Sequence, residues 1–126
     1  DRYGHQTGDH VLRLVALAVK QNVREQDTAC RYGGEEFAVI LPGTSAAEAV
    51  VVGEHIRTAV MSREFRRRAS GERLRPVTLS IGIASLRPGD TASSLIERAD
   101  SCLYKAKSFG RNLVVAEDES PLRERA

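Results

Sequence analysis

The stretch Gly33-Gly34-Glu35-Glu36 sets two neighbouring carboxylates directly after two residues without side chains. Adjacent carboxylates in a tight turn repel each other, and neither suits burial without a partner. Glycines let a phosphate or a ribose approach the backbone closely. Glu35 and Glu36 supply hard oxygen ligands of the kind that hold Mg²⁺ while it bridges nucleotide phosphates. The tetrapeptide alone has a second reading, an exposed polar hairpin with its charges in water, because so short a motif recurs by accident.

Other charged residues offer further chemistry. Lys107 and Arg111 flank Gly110 at the end of a helical pattern, where cations also favour the negative helix end. Arg24 and Asp27 form R-x-x-D just ahead of Arg31, by residue type a solvated pair at a helix end. Arg63, Arg66, Arg67, Arg68, Arg73 and Arg75 make one local basic excess. With only Phe65 among them for base stacking, a solvated loop fits better than a nucleic-acid surface. Cys30 and Cys102 have no metal-ligand spacing and are too few for a disulfide scaffold, so both are expected to be reduced core thiols.

Composition bounds what these residues can serve. At 126 residues and 41% hydrophobic, the chain can build one domain around one core. The 19 Lys+Arg and 17 Asp+Glu leave a net charge of +2, too little for general polyanion binding but suited to a phosphate-bearing small ligand held by a few placed cations. No apolar run approaches the ~20 residues of a membrane span. The opening DRYGHQTGDH has neither the basic nor the apolar region of a secretory signal, so a cytoplasmic location without membrane contact is expected.

The elements that must position these groups follow from periodicity. Val11, Leu12, Leu14, Val15, Ala18, Val19 and Val23 predict an amphipathic helix from about Asp9 to Arg24, with Asp9 in its first turn. Thr28–Tyr32 and Phe37–Leu41 read as a hairpin around the Gly-Gly tip. Ser45 and Glu48 have capping-box spacing at the start of a second helix that turns Ala49, Val52, Ile56, Ala59 and Val60 inward. Residues 62–76 are expected to be a loop or a frayed helix end. Val77–Ala84 alternates as the strongest strand, with Gly82 marking a close backbone neighbour. A third helix is predicted from a Ser94–Glu97 box to Gly110, then a strand over Asn112–Ala116 and a mobile tail over residues 117–126. The order α-β-β-α-β-α-β, with one strand added in front, is an α+β sandwich: a βαββαβ core plus an extra αβ, its mostly antiparallel sheet flanked by helices.

Arg31-Tyr32-Gly33-Gly34-Glu35-Glu36-Phe37 resembles the signature of the GGDEF family, the bacterial diguanylate cyclases, in its GGEEF spelling. Asp1-Arg2-Tyr3-Gly4-His5-Gln6-Thr7-Gly8-Asp9 is similar to that family's N-D-x-x-G-H-x-x-G-D segment without its Asn. Thr78-Leu79-Ser80-Ile81-Gly82 resembles its central strand, and Ala99-Asp100, Leu103 to Lys107 and Gly110-Arg111-Asn112 resemble its last helix and strand. The matches occur in register and cover nearly the whole chain.

The resemblance implies a nucleotidyl-cyclase-like, ferredoxin-like fold that condenses two GTP into cyclic di-GMP and two pyrophosphates with Mg²⁺ or Mn²⁺, as a homodimer in which each monomer presents one GTP. It implies Glu35 as catalytic residue and metal ligand, Glu36 as a second ligand, and Gly33 and Gly34 beside the substrate. Asp9 matches the carboxylate that accepts from guanine N1 and N2, a role compatible with capping its helix, and His5 lies in the same segment. Lys107 and Arg111 match phosphate-binding cations, and Arg24 with Asp27 matches an inhibitory site for cyclic di-GMP.

The family's opening strand, with D-x-D-x-F-K and its metal-binding Asp, has no counterpart here, nor does the Asn preceding Asp1. The expected domain is therefore residues 1–116 without its opening strand and first helix, a piece of a longer protein that is poorly stable and inactive by itself. A silent GGDEF domain that binds GTP or cyclic di-GMP to regulate a neighbour is the second reading. An RNA-binding domain on a similar plan lacks the aromatic pattern it would need.

Overall fold

Val11, Val15, Ala18 and Val19 line one face of helix α1, His5–Gln21, and pack against Ile56 and Val60 of helix α2, Ala46–Met61. These six residues are the centre of the core, and Leu14, Val23, Phe37, Val39, Val52, Val77, Leu79 and Ile81 pack around it half-buried. A computed structural model describes residues 5–63, 70–72 and 76–117, with side chains from residue 8 onward. Strands β1, Thr28–Gly33, and β2, Glu36–Ile40, form an antiparallel hairpin. Strands β3, Ile81–Ile83, and β4, Val114–Ala116, form a parallel pair joined by helix α3, Ala92–Ser108. A parallel pair needs such a crossover. The α+β organisation is as expected, with its described strands divided between two small sheets.

Several boundaries differ from expectation for local reasons. Helix α1 starts four residues early, running through Gly8, so Asp9 sits in the second turn and does not cap the helix. Its end comes early because Asn22 turns back, its N–H donating to Val19 O at 3.0 Å and its Nδ2 to Ala18 O at 2.7 Å. Helix α2 begins as predicted: the Glu48 N–H donates to Ser45 Oγ at 3.1 Å and the Ser45 N–H to Glu48 Oε1 at 2.9 Å. Helix α3 starts before the expected Ser94–Glu97 box, because Thr91 is the N-cap and Ser94 its reciprocal partner. Asp90 Oδ1 accepts from the Ser94 hydroxyl at 2.6 Å, which fixes Ser94 in that second role.

The strand expected over Val77–Ala84 is confined to Ile81–Ile83. Val77 and Leu79 still point at the core, so the alternation is real. A ladder also needs a neighbour, and β4 lies alongside only at Ile81↔Val114, Gly82↔Val115 and Ile83↔Ala116. Cys102 is buried on α3, where burial pushes its thiol up, whereas Cys30 is exposed on β1, contrary to the expectation that both lie in the core.

Arg98 of α3 bonds Asp90, donates to Glu117 Oε1 at 2.5 Å and to Ser85 O at 3.2 Å, while Arg87 holds Glu117 Oε2 at 3.0 Å. Glu117, expected to open a mobile tail, is thereby tied to α3 and to the segment after β3; residues 118–126 lie outside the described residues.

Gly82 explains how α3 lies so close to β3. A Cβ there would stand 2.3 Å from both Ala99 O and Leu103 N, backbone atoms that cannot swing aside. Gly82→Ala is expected to lower stability by about 3 kcal/mol, near the upper end for overpacking, and to lower the urea midpoint at unchanged slope. An unchanged midpoint would show that α3 does not lie on β3 in this way.

Candidate functional site

The hairpin places the acidic residues at one end. Arg31↔Phe37 is the last regular pair, the register slips, and Gly33 pairs with Glu36, leaving Gly34 and Glu35 as the turn. Glu36 thus belongs to β2 and not to the bend itself, and both carboxylates are exposed. Arg31, given no separate role from sequence, holds the tip: Nε and Nη2 donate to Gly34 O at 2.9 and 2.6 Å. Its spacing of three residues from Gly34 was the signal that could have marked it.

Neither tip glycine is required by the fold. A Cβ at Gly33 or Gly34 would meet nothing within 4 Å, and neither takes a left-handed backbone. The open backbone is available to a ligand.

The C-terminal end of α3 reaches this tip. Lys107 Nζ stands 4.0 Å from Glu36 Oε2, so a cation and the carboxylates share one exposed patch. Past Phe109 the chain reverses through Gly110 at φ 115°, and the Arg111 N–H donates to Ala106 O at 2.9 Å. This bond is the six-to-one closure of a Schellman motif. It leaves Arg111 exposed one turn beyond Lys107.

The other expected residues are not gathered there. The Asp9 carboxylate is exposed on α1 without an ion pair among the described residues. The backbone of His5 begins α1, and its side chain lies outside the described ones. Of the arginine-rich stretch, Arg63 donates to Gln21 Oε1 at 3.4 Å. Arg66, Arg67, Arg68, Arg73 and Arg75 lie outside the described residues.

Arg24 and Asp27 close the opposite end of the hairpin, about 17 Å from the tip for five residues at about 3.3 Å each. Arg24 donates through Nε and Nη2 to the two oxygens of Asp27 at 3.2 and 2.9 Å, and the Arg24 N–H reaches Oδ2 at 2.7 Å. Nη2 also reaches Pro42 O and Thr44 Oγ1, both at 2.8 Å, which ties the strand's entry to the start of α2. The Asp27 side chain is only 2% exposed against 48% for Arg24.

Comparison with known proteins identifies the family. The model of the family described as "Diguanylate cyclase, GGDEF domain" matches residues 1–113. The chain belongs to the GGDEF family. It is 48% identical over 116 residues to the response regulator PleD of Caulobacter vibrioides, covering 91% of this chain and 25% of that protein. It is 46% identical over 115 residues to diguanylate cyclase A of Treponema denticola, covering 90% and 30%. The GGDEF domain of DgcB from Caulobacter crescentus, solved in complex with c-di-GMP, superposes with a TM-score of 0.88 at 45% identity, covering 92% of this chain and 66% of that one. The chain thus spans a quarter to a third of the length of these two curated relatives. No helix among the described residues of this GGDEF chain is long and apolar enough to cross a membrane.

The hydrogen bonds and charge of Arg24 hold the Asp27 carboxyl below its ordinary range. A carboxyl depressed in the folded state contributes stability in full above its ordinary value near 4, and that contribution fades as pH falls through the folded-state value. Asp27→Asn is therefore expected to flatten part of the loss of stability below about pH 4, measured by urea unfolding across pH. An acid limb as steep as that of the parent would show that the pair does not contribute to it.

Proposed function

We propose that this chain is the nucleotide-handling domain of a diguanylate cyclase, occupying residues 1–116 of the sequence given. The reading rests on the tip: two side-chain-free positions that the fold does not demand, two exposed carboxylates, and Lys107 4.0 Å from Glu36. In the reaction the ribose 3′-hydroxyl of one GTP attacks the α-phosphorus of another, forming a 3′ ester and breaking the α–β phosphoanhydride. Pyrophosphate leaves with its electron pair. The reciprocal attack closes the ring and releases a second pyrophosphate. Two GTP must face each other, so the active form is a homodimer, placed in the cytoplasm where GTP is available.

Glu35, at the turn, is the residue that assists loss of the hydroxyl proton. Gly33 and Gly34 let the phosphates lie against the backbone. Lys107 and Arg111 neutralise the polyphosphate. Asp9 accepts from guanine N1 and N2 with His5 in the same segment.

The donors present suit a hard divalent ion held by one or two carboxylates with phosphates completing its shell, and Glu35 and Glu36 are the residues that would hold Mg²⁺ or Mn²⁺. Such an ion supplies charge neutralisation and acidifies the attacking hydroxyl. Arg24 and Asp27 form a product site. Nη1 of Arg24 has no partner among the described residues and is the donor left for a guanine acceptor such as O6 or N7.

In the natural protein that carries this chain, GTP with Mg²⁺ is expected to yield cyclic di-GMP, and Glu35→Gln to lower kcat about 100-fold or more. GTP binding with no cyclic di-GMP from the parent would instead make it a silent regulatory module. Arg24→Ala is expected to raise the cyclic di-GMP concentration for half-inhibition about tenfold. Inhibition at the parent's concentration would remove Arg24 from that site.

A further inference from the structure

Arg111 and Asn112 are the only residues other than glycine with a left-handed backbone among the described residues, at φ 65° and 51°. Residues with a Cβ disfavour that region and stay there only where the surroundings hold them. One hold is the Arg111 N–H bond to Ala106 O. A second comes from α2, 55 residues away in sequence: Arg57 Nη1 donates to Asn112 Oδ1 at 2.8 Å. Asn112 Nδ2 in turn lies 3.4 Å from Met61 Sδ, also on α2.

Arg57 is itself oriented. Glu54 Oε1 accepts from its Nε at 2.9 Å and pairs with its Nη2 at 2.7 Å, leaving Nη1 for Asn112. With 18% of its side chain exposed, the guanidinium is occupied by protein partners and is not offered to solvent. A planar fork can hold a carboxylate on one side and an amide on the other, which a lysine ammonium does less well.

We infer that Arg57 is a positioning residue for phosphate recognition: through Asn112 it holds the left-handed turn that presents Arg111 to the polyphosphate. This rests on the reading of Arg111 as a phosphate-binding cation. Arg57 touches no substrate itself and acts only through that turn.

The test is equilibrium binding of GTP and of guanosine, which lacks the phosphates, to the natural full-length protein and its variants. Arg57→Gln and Asn112→Gly are each expected to weaken GTP binding about tenfold, the effect of losing one well-placed charge-assisted contact, and to leave guanosine binding unchanged. Arg57→Lys is expected to fall between. The double variant Arg57→Gln with Arg111→Ala should bind GTP no more weakly than Arg111→Ala alone, because both act through one contact. If Arg57→Gln does not fold, Asn112→Gly carries the test, since glycine suits φ 51°. Equal weakening of GTP and guanosine, full additivity with Arg111→Ala, or no effect beside a weakened Arg111→Ala would overturn the role of Arg57 and leave the proposed function standing. GTP binding unchanged in Arg111→Ala would overturn the phosphate role of Arg111 and this inference with it.

Discussion

Backbone lies on backbone where α3 crosses β3 at Gly82, with the carbonyl of Ala99 and the N–H of Leu103 in the space a side chain would fill. Two elements this close cannot slide past one another without collision. Cys102 and Ala106, buried on the same helix, set its rotation. Lys107 follows directly and meets Glu36 of the hairpin, so the packing of a glycine in β3 decides where a cation stands beside the acidic tip. Gly53 of α2 differs: a Cβ there would stand 3.4 Å from the Val114 side chain and 3.5 Å from that of Ile83, ordinary packing distances. Of the two helices packed on the parallel pair, α3 is the one set at backbone distance from it.

The hairpin, by contrast, is exposed along most of its length and is defined by its ends. Arg24 fastens one end to Asp27, Pro42 and Thr44, and Arg31 fastens the other to Gly34. Besides what the Arg24–Asp27 pair adds to stability, these bonds have a geometrical effect: they settle which residues form the bend and which remain in the strands. The single register slip between Arg31 and Gly33 follows from that division and turns Glu35 into the apex.

What could be read from sequence was local. The Ser45–Glu48 box and the apolar stripe of α1 depend on residues a few positions apart, and both are found. Ser94 was legible as a capping residue but not as the second half of an earlier box, since Thr91 and Ser94 compete with Ser94 and Glu97 on equal terms until Asp90 holds the hydroxyl. The strand over residues 77–80 was overread because alternation reports which side chains turn inward, while a ladder depends on a neighbour far away in the chain. Cys30 was misplaced for a similar reason, since residue type does not say which face of a hairpin is covered. At the site, the tip, Lys107 and the Arg24–Asp27 pair were legible as motifs. The partners that give them geometry, Thr44, Pro42 and Gly34 O, were not.

The glycines divide into two kinds with different fates under mutation. Gly82 is hemmed in by the backbone of α3, so the folded state itself selects for it. Gly33 and Gly34 border open space and take no conformation that a larger residue would resist. A survey of variants scored by how much folded protein accumulates would pass over the tip while marking the crossing at Gly82. The parts of this molecule that keep it folded and the part proposed to meet its ligand can therefore drift independently, and a lineage released from ligand binding could lose the tip while keeping the scaffold intact.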